Sequence, residues 1–134
     1  MTNLSEIEGI GDTYASQLEA IGITSIEALL ESGSTRSGRI NIVEKTGISK
    51  TRLLNWVNRA DLARINGVST QYADLLEVAG VDTVVELALR SPKNLTKAMA
   101  DINDEKSLVR KVPGLSQVQD WILQAAELPR VISY

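Results

Sequence analysis

A chain of 134 residues is long enough for one compact domain or for two very small ones. It contains no Cys and no His, which excludes disulfides and thiolate metal sites and removes the commonest general base and metal ligand. The net charge of −3 is too small to indicate or exclude a polyanionic partner, so the distribution of charge along the chain has to decide that question.

No membrane or enzyme signal is present in the sequence. Apolar runs are shorter than the roughly 18 to 20 residues of a membrane span, and the start MTNLSEIEGI lacks the zones of a signal peptide. The carboxylates form no recognisable catalytic template without His, Cys or a Ser-Lys pattern. We therefore expect a cytoplasmic protein that is not an enzyme, with no catalytic residue, no metal site, no cofactor and no membrane contact.

One segment of the chain recurs 58 residues further on. IEGIGDTYASQLEAIGITSIEALL at 7–30 returns as INGVSTQYADLLEVAGVDTVVELA at 65–88, with eight identities in 24 positions. The segments that follow match more weakly, TGISKTRLLNWVNRADL at 46–62 with PGLSQVQDWILQAAEL at 113–128. An internal repeat of this kind predicts two tandem units, which we expect to pack as one compact domain. The predicted units and the tail that follows them are 1–63, 64–128 and 129–134.

The apolar residues within a unit follow a helical period. Tyr14, Ala15, Leu18 and Ile21 fall on one face of a helix that Gly22 ends. Strand patterns are nearly absent, so the sequence predicts an all-α fold with helices of about 7 to 12 residues.

Two connecting segments are harder to assign. GSTRSGR at 33–39 is interpreted as a mobile basic loop or a solvated connection. Pro92 is predicted to begin a helix that runs through Met99, with NDEK at 103–106 as a turn.

Four turns share the pattern x-Gly-apolar-small, at 8–11, 46–49, 66–69 and 113–116. In such a turn the Gly adopts a backbone conformation that a Cβ would oppose, and the small residue begins the next helix. The first N–H groups of that helix point outward at the positive end of its dipole, where they can bind an anion.

These turns resemble the helix-hairpin-helix motif, whose DNA-binding members use such amides on backbone phosphates without reading sequence. Over 4–128, including the junction NRADLARINGV, the chain resembles an uncharacterised bacterial family, domain of unknown function four-three-three-two. That family is similar to tandem helix-hairpin-helix domains and, in its Gly-turn-helix segments, to the C-terminal domain of the RNA polymerase α subunit. The resemblance implies two tandem repeats of paired helix-hairpin-helix units of the SAM-like class, and it implies no activity.

Charge alternates along the chain. The segments 1–35 and 65–89 contain no basic residue and carry net charges of −6 and −4. The segments 36–64 and 90–134 carry +5 and +2. The alternation favours contacts between hairpins of opposite sign, within one chain or between two chains.

The charges next to each of the four turns indicate which of them can bind an anion. Glu8 and Asp12 flank the first turn and would repel a phosphate, so we interpret it as a corner between helices, like the third turn at 67–69. The second turn has cations on both sides, which is the arrangement in which amides position a phosphate that side chains neutralise. The fourth turn is intermediate, with cations before it and QVQD after it. The predicted nucleic-acid or anion-binding residues are Lys45, Gly47, Ile48, Ser49, Lys50, Arg52, Arg110, Lys111, Gly114 and Ser116.

The aromatic residues and the tail leave alternatives open. Trp56 and Trp121 are predicted as core residues because apolar neighbours surround the first, with base stacking as the alternative. Tyr14 and Tyr72 are predicted to pack in the core with their hydroxyls at the surface. The tail LPRVISY either docks on the domain or offers an attachment point for a partner.

Two functions follow from these patterns. The first is a non-catalytic module that binds the DNA or RNA backbone weakly and without sequence preference. The second is a protein-interaction or self-assembly module, in which an acidic hairpin meets the basic hairpin of a protein partner or of a second copy in a homo-oligomer.

Overall fold

The computed structural model describes residues 3–134 and is all-helical, with no strand in that range. The predicted all-α fold is therefore confirmed. A 3₁₀ helix at Leu4–Glu6 comes before the α-helices. In chain order these are α1 (Asp12–Glu19), α2 (Ile26–Gly33), α3 (Arg36–Thr46), α4 (Lys50–Leu62), α5 (Thr70–Val78), α6 (Val84–Ala88), α7 (Pro92–Lys106) and α8 (Leu115–Glu127).

Short polar side chains begin most of these helices. Each accepts a hydrogen bond from a backbone N–H of the first turn, which satisfies a donor that has no partner inside the helix. The residues that cap α2, α3, α5, α6 and α7 in this way are Ser25, Thr35, Ser69, Thr83 and Ser91.

Two segments are more helical than the sequence indicated. Thr35 accepts from the N–H of Gly38 and starts α3 at once, so 33–39 contains the end of one helix and the start of the next rather than a loop. The helix from Pro92 continues through Lys106, and the predicted turn at 103–106 is wrong. Asn103 explains the continuation, because its side chain bonds the backbone N–H and C=O of Val109 and so holds the chain after the helix end.

The chain forms two compact units. The first comprises the described residues up to Asp61 together with Val131–Tyr134, and the second comprises Leu62–Arg130. Residues 1 and 2 of the predicted first unit lie outside the described residues. Each unit has its own core of buried apolar side chains, and every such Leu contributes about 1.5 to 3 kcal/mol relative to an exposed position.

Each core contains a tryptophan, and the prediction that both are core residues is confirmed. Trp56 is 3% exposed and Trp121 is 2% exposed. Each contacts a half-buried tyrosine, with ring centroids 5.1 Å apart for Tyr14 and Trp56 and 5.3 Å apart for Tyr72 and Trp121. Both tyrosine hydroxyls reach polar partners, as expected for an aromatic ring with a polar tip.

The tail docks on the first unit, which decides between the two predicted roles. Ile132 is 3% exposed and joins the core, and the N–H of Ser133 donates to the carbonyl of Ser34 at 2.8 Å. Arg39 donates to the carbonyls of Gly33 at 2.9 Å and Ser133 at 2.7 Å, so one guanidinium joins the end of α2 to the tail. Residues 131–134 are therefore part of this unit's structure.

No helix in the described range combines the length and the apolar character that a bilayer span requires.

Candidate nucleic-acid interface

The second Gly turn connects α3 to α4. Gly47 has φ +78° and ends α3, donating its N–H to the carbonyl of Val43 at 2.8 Å. The N–H of Ile48 donates to the Thr46 hydroxyl at 3.2 Å, and the Ile48 side chain is buried. Both amides are therefore used inside the chain. Binding of a phosphate by the amides of Gly47 and Ile48 would therefore require these hydrogen bonds to open, and their role stays a prediction.

The cations of the turn lie on the surface where α4 begins. Ser49 caps this helix by accepting from the N–H of Arg52 at 3.2 Å. Lys45 in the last turn of α3 and Lys50 and Arg52 in the first turn of α4 are all exposed. The structure thus places Lys45 at the end of one helix and Lys50 and Arg52 at the positive end of the next, which has 13 residues.

The Arg52 guanidinium is held in place by an aromatic ring. Its Nη1 donates to the Tyr14 hydroxyl at 2.6 Å, and its Cζ lies 5.1 Å from the centroid of the Tyr14 ring. Tyr14 in turn packs edge-on against Trp56. A cation over a tyrosine face gains about 0.5 to 1 kcal/mol at an exposed site. Arg52 is therefore oriented by the core, with further N–H donors left on its guanidinium.

Two clefts border the first turn of α4. The first, which we call the tryptophan cleft, has a volume of about 340 Å³ and is lined by Glu8, Gly9, Ser49, Thr51, Arg52, Asn55, Trp56 and Arg59. The second, which we call the tail cleft, has a volume of about 240 Å³ and is lined by Arg36, Arg39, Ile40, Val43, Lys50, Leu54 and Tyr134. Arg52 thus borders one cleft and Lys50 the other.

Sequence reasoning missed the tryptophan cleft as a site. Arg52, Asn55 and Arg59 are spaced three and seven residues apart, which places them on one face of α4 beside Trp56. That spacing was visible in the sequence. The approach of Glu8 and Gly9 to this face was not, because it depends on how the core packs.

The second unit carries the same framework with different polar residues. Trp121 follows the start of α8 by the same interval at which Trp56 follows the start of α4. In this register the counterparts of Arg52, Asn55 and Arg59 are Gln117, Asp120 and Gln124, while Glu8 corresponds to Asn66 and Lys50 to Leu115. The equivalent position in the second unit therefore has no arginine.

In the second unit, the counterpart of Arg59 bonds the backbone of the Gly67 turn. Gln124 accepts from the N–H of Asn66 at 2.9 Å and donates to its carbonyl at 3.1 Å and to the Asp120 carboxylate at 2.9 Å. These bonds satisfy the backbone of the Gly67 turn with a neutral side chain. A neutral side chain thus stands in the second unit at the position that Arg59 has in the first.

The fourth predicted turn differs from the second. Gly114 has φ −80° and precedes α8 as its N-cap, whereas Gly47 has a positive φ and ends a helix. The N–H of Gly114 donates to the Gln117 side chain at 3.1 Å, and Ser116 lies exposed within the helix. Arg110 and Lys111 are exposed before α8, but the carbonyl of Lys111 accepts from Tyr72. The fourth turn therefore differs in geometry from the second, and the binding role of Gly114 and Ser116 stays a prediction.

Comparison with known proteins gives a family and no activity. The family model described as Domain of unknown function (DUF4332) matches residues 8–128, which is most of the chain. The chain belongs to this family. No curated protein and no solved structure matches it significantly. The DUF4332 match covers the tryptophan cleft and both Gly-turn-helix segments, but it stops before the docked residues 131–134.

Proposed function

We propose that this DUF4332 protein is a non-catalytic, helix-hairpin-helix-like module that binds the nucleic-acid backbone weakly and without reading sequence. The observation that supports the proposal is the position of the first turn of α4 between two arginine-lined clefts, with Lys50 facing one and Arg52 the other. A phosphate backbone that crosses this turn meets cations on both sides and the positive end of the helix dipole.

Cations that contact phosphates release counterions, so the affinity depends on charge and on salt rather than on base sequence. Most acidic side chains of the first unit precede α3, namely Glu6, Glu8, Asp12, Glu19, Glu27 and Glu31, whereas α3 and α4 contain only Glu44 and Asp61. The first unit is therefore acidic before α3 and mainly basic from α3 onwards. Its α3 and α4 are the part that a polyanion approaches.

The test is an anisotropy titration with labelled duplex and single-stranded DNA at about 50 mM salt, where phosphate contacts are strongest. The variant Lys45→Glu with Lys50→Glu reverses two charges beside the turn. Lys93→Glu with Lys97→Glu makes the same change in net charge at exposed positions of α7 and serves as the control. We expect the first variant to abolish binding and the second to retain most of it.

Equal losses of DNA affinity in both variants would show that binding depends only on net charge, and they would contradict a site at α4. Circular dichroism of each variant establishes that the helices persist. No binding of either DNA by the unmodified protein at this salt concentration would reject the proposed function.

A protein-interaction role is the second candidate, and exposed apolar residues of the second unit support it. Leu89 is 81% exposed and Leu123 is 67% exposed, beside a 39% exposed Val85 on α6. The repeat places Glu31, Asn58 and Glu27 at these positions in the first unit. Polar surface residues of one repeat are thus apolar in the other, which is typical of a surface that contacts a partner.

Light scattering after size-exclusion chromatography tests self-assembly at low and high salt. Contacts between acidic and basic hairpins weaken as the Debye length falls from about 10 Å to about 3 Å, whereas apolar contacts persist. Leu89→Glu with Leu123→Glu should dissolve an apolar assembly. A monomer under both conditions would exclude self-assembly at the protein concentrations measured.

A further inference from the structure

The indole N–H of Trp56 is a hydrogen-bond donor at the tryptophan cleft. Trp56 is 3% exposed and lines the cleft beside Gly9, yet its indole N–H has no acceptor among residues 3–134. Because the nitrogen itself is not sealed from solvent, an acceptor that enters the cleft can reach it. The cleft therefore offers a hydrogen-bond donor at its base.

Gly9 keeps the space in front of this donor open. A Cβ at this position would lie 3.3 Å from Trp56 Nε1, so a side chain would cover the nitrogen. The φ of Gly9 is +93°, which also favours glycine at this position. The turn that begins the first unit thus combines a tight corner with access to the indole.

The charges around the donor favour an anion. Arg52 is oriented by Tyr14, and Arg59 lies on the same face of α4. Two arginine side chains therefore line the cleft together with Trp56. Guanidinium groups match the oxygens of phosphate with paired donors. The second unit has the same indole and glycine but Gln117, Asp120 and Gln124 instead.

Glu8 also lines the cleft, and its charge favours a ligand that has a hydrogen-bond donor as well as a phosphate. Its carboxylate opposes a bare phosphate dianion but accepts a hydrogen bond from a hydroxyl or amino group. A nucleotide carries both kinds of group. The cleft volume of about 340 Å³ also lies within the range of small-molecule sites, about 300 to 1,000 Å³.

We propose that the tryptophan cleft binds one nucleotide unit, free or within a strand. The phosphate accepts from the Trp56 N–H and from Arg52 and Arg59, and a sugar hydroxyl or base amino group donates to Glu8. The inference rests on the proposed function and names the part of a nucleic acid that the first unit recognises. Lys45 and Lys50 do not line this cleft, so the two claims are tested by different residues.

The two indole N–H signals in a proton–nitrogen correlation spectrum test this inference, because the chain has only two tryptophans. Adenosine monophosphate is titrated first, then inorganic phosphate, then a short oligonucleotide with and without a 5′-phosphate. We expect adenosine monophosphate to shift the Trp56 signal more than inorganic phosphate does, with the Trp121 signal nearly unchanged. A response to the oligonucleotides that requires the 5′-phosphate identifies a strand end, and equal responses identify a backbone phosphate.

Two variants borrow residues from the second unit. Arg52→Gln should weaken adenosine monophosphate binding about tenfold, because it removes a charged hydrogen-bond donor. Glu8→Asn should reduce the advantage of adenosine monophosphate over inorganic phosphate. Thr13→Ser, at an exposed position of α1 outside the cleft, is the control and should leave both affinities unchanged.

Equal shifts of both indole signals, or no shift of either with any probe, would overturn the inference. Duplex binding that depends on Lys50 without a Trp56 response would overturn it and leave the proposed function standing. A Trp56 response to adenosine monophosphate in a protein that binds no DNA would support the cleft and reject the proposed function.

Discussion

Trp121 Nε1 lies 3.0 Å from the point where a Cβ on Gly67 would be, and in the first unit Trp56 Nε1 lies 3.3 Å from the same point on Gly9. Each unit thus places its indole nitrogen where a side chain on the glycine of its opening turn would meet it. Both glycines also have a positive φ, +93° for Gly9 and +98° for Gly67. This contact couples the turn to the core, and it explains why the repeat retains glycine and tryptophan together.

The substitution Gly67→Ala tests this contact. Alanine at a positive φ is destabilising by about 1 to 3 kcal/mol, and here the added methyl group also meets the indole. Gly80→Ala is the matched control, since it has φ +94° in the same unit and a Cβ there comes no closer than 3.6 Å to the end of a flexible Arg90 side chain. We expect urea denaturation to show a larger loss for Gly67→Ala than for Gly80→Ala. Equal losses would mean that the indole contact contributes nothing.

Replacement of the tryptophans tests their role in the two cores. Trp56→Ala and Trp121→Ala should each lower the free energy of unfolding by about 3 to 5 kcal/mol, because each removes a large side chain from a packed core. Leu123→Ala, at a position 67% exposed, should change it by less than about 0.5 kcal/mol. Losses below about 1 kcal/mol for both tryptophan variants would contradict a core role.

The docked tail contributes to the stability of the first unit. Ile132→Ala should lower the free energy of unfolding by about 2 to 5 kcal/mol, because Ile132 is buried in the core. Tyr134→Phe removes the hydroxyl that donates to Asn58 and should lower the free energy of unfolding by about 1 kcal/mol or less. An Ile132→Ala protein as stable as the Tyr134→Phe protein would show that the tail is not part of the core.

The helices were largely predictable from local signals. The apolar period ending at Gly22, and the hydroxyl caps at Ser25 and Thr83, depend only on neighbours within a turn. The fourth Gly turn was not predictable from its pattern, because Gly-apolar-Ser also fits the start of a helix. The number of residues from the glycine to the tryptophan distinguishes the two turns, since Trp56 follows Gly47 by nine residues and Trp121 follows Gly114 by seven.

The candidate site was predictable only in part. The cations around the second turn are adjacent in sequence, so their proximity at the surface follows from chain connectivity. The use of the Gly47 and Ile48 amides depends on helix-end hydrogen bonds that composition does not indicate. The pairing of Glu8 with α4 depends on the packing of the whole unit.

The salt dependence of DNA binding tests the central claim most directly. The logarithm of the association constant should fall linearly with the logarithm of the salt concentration, with a slope of about −0.9 for each phosphate neutralised on duplex DNA. Lys50→Gln should make this slope less steep by about 0.9, because one phosphate contact is lost. Lys97→Gln, an exposed lysine of α7, should leave the slope unchanged. Identical slopes for the unmodified protein and Lys50→Gln would contradict binding of the phosphate backbone at the start of α4.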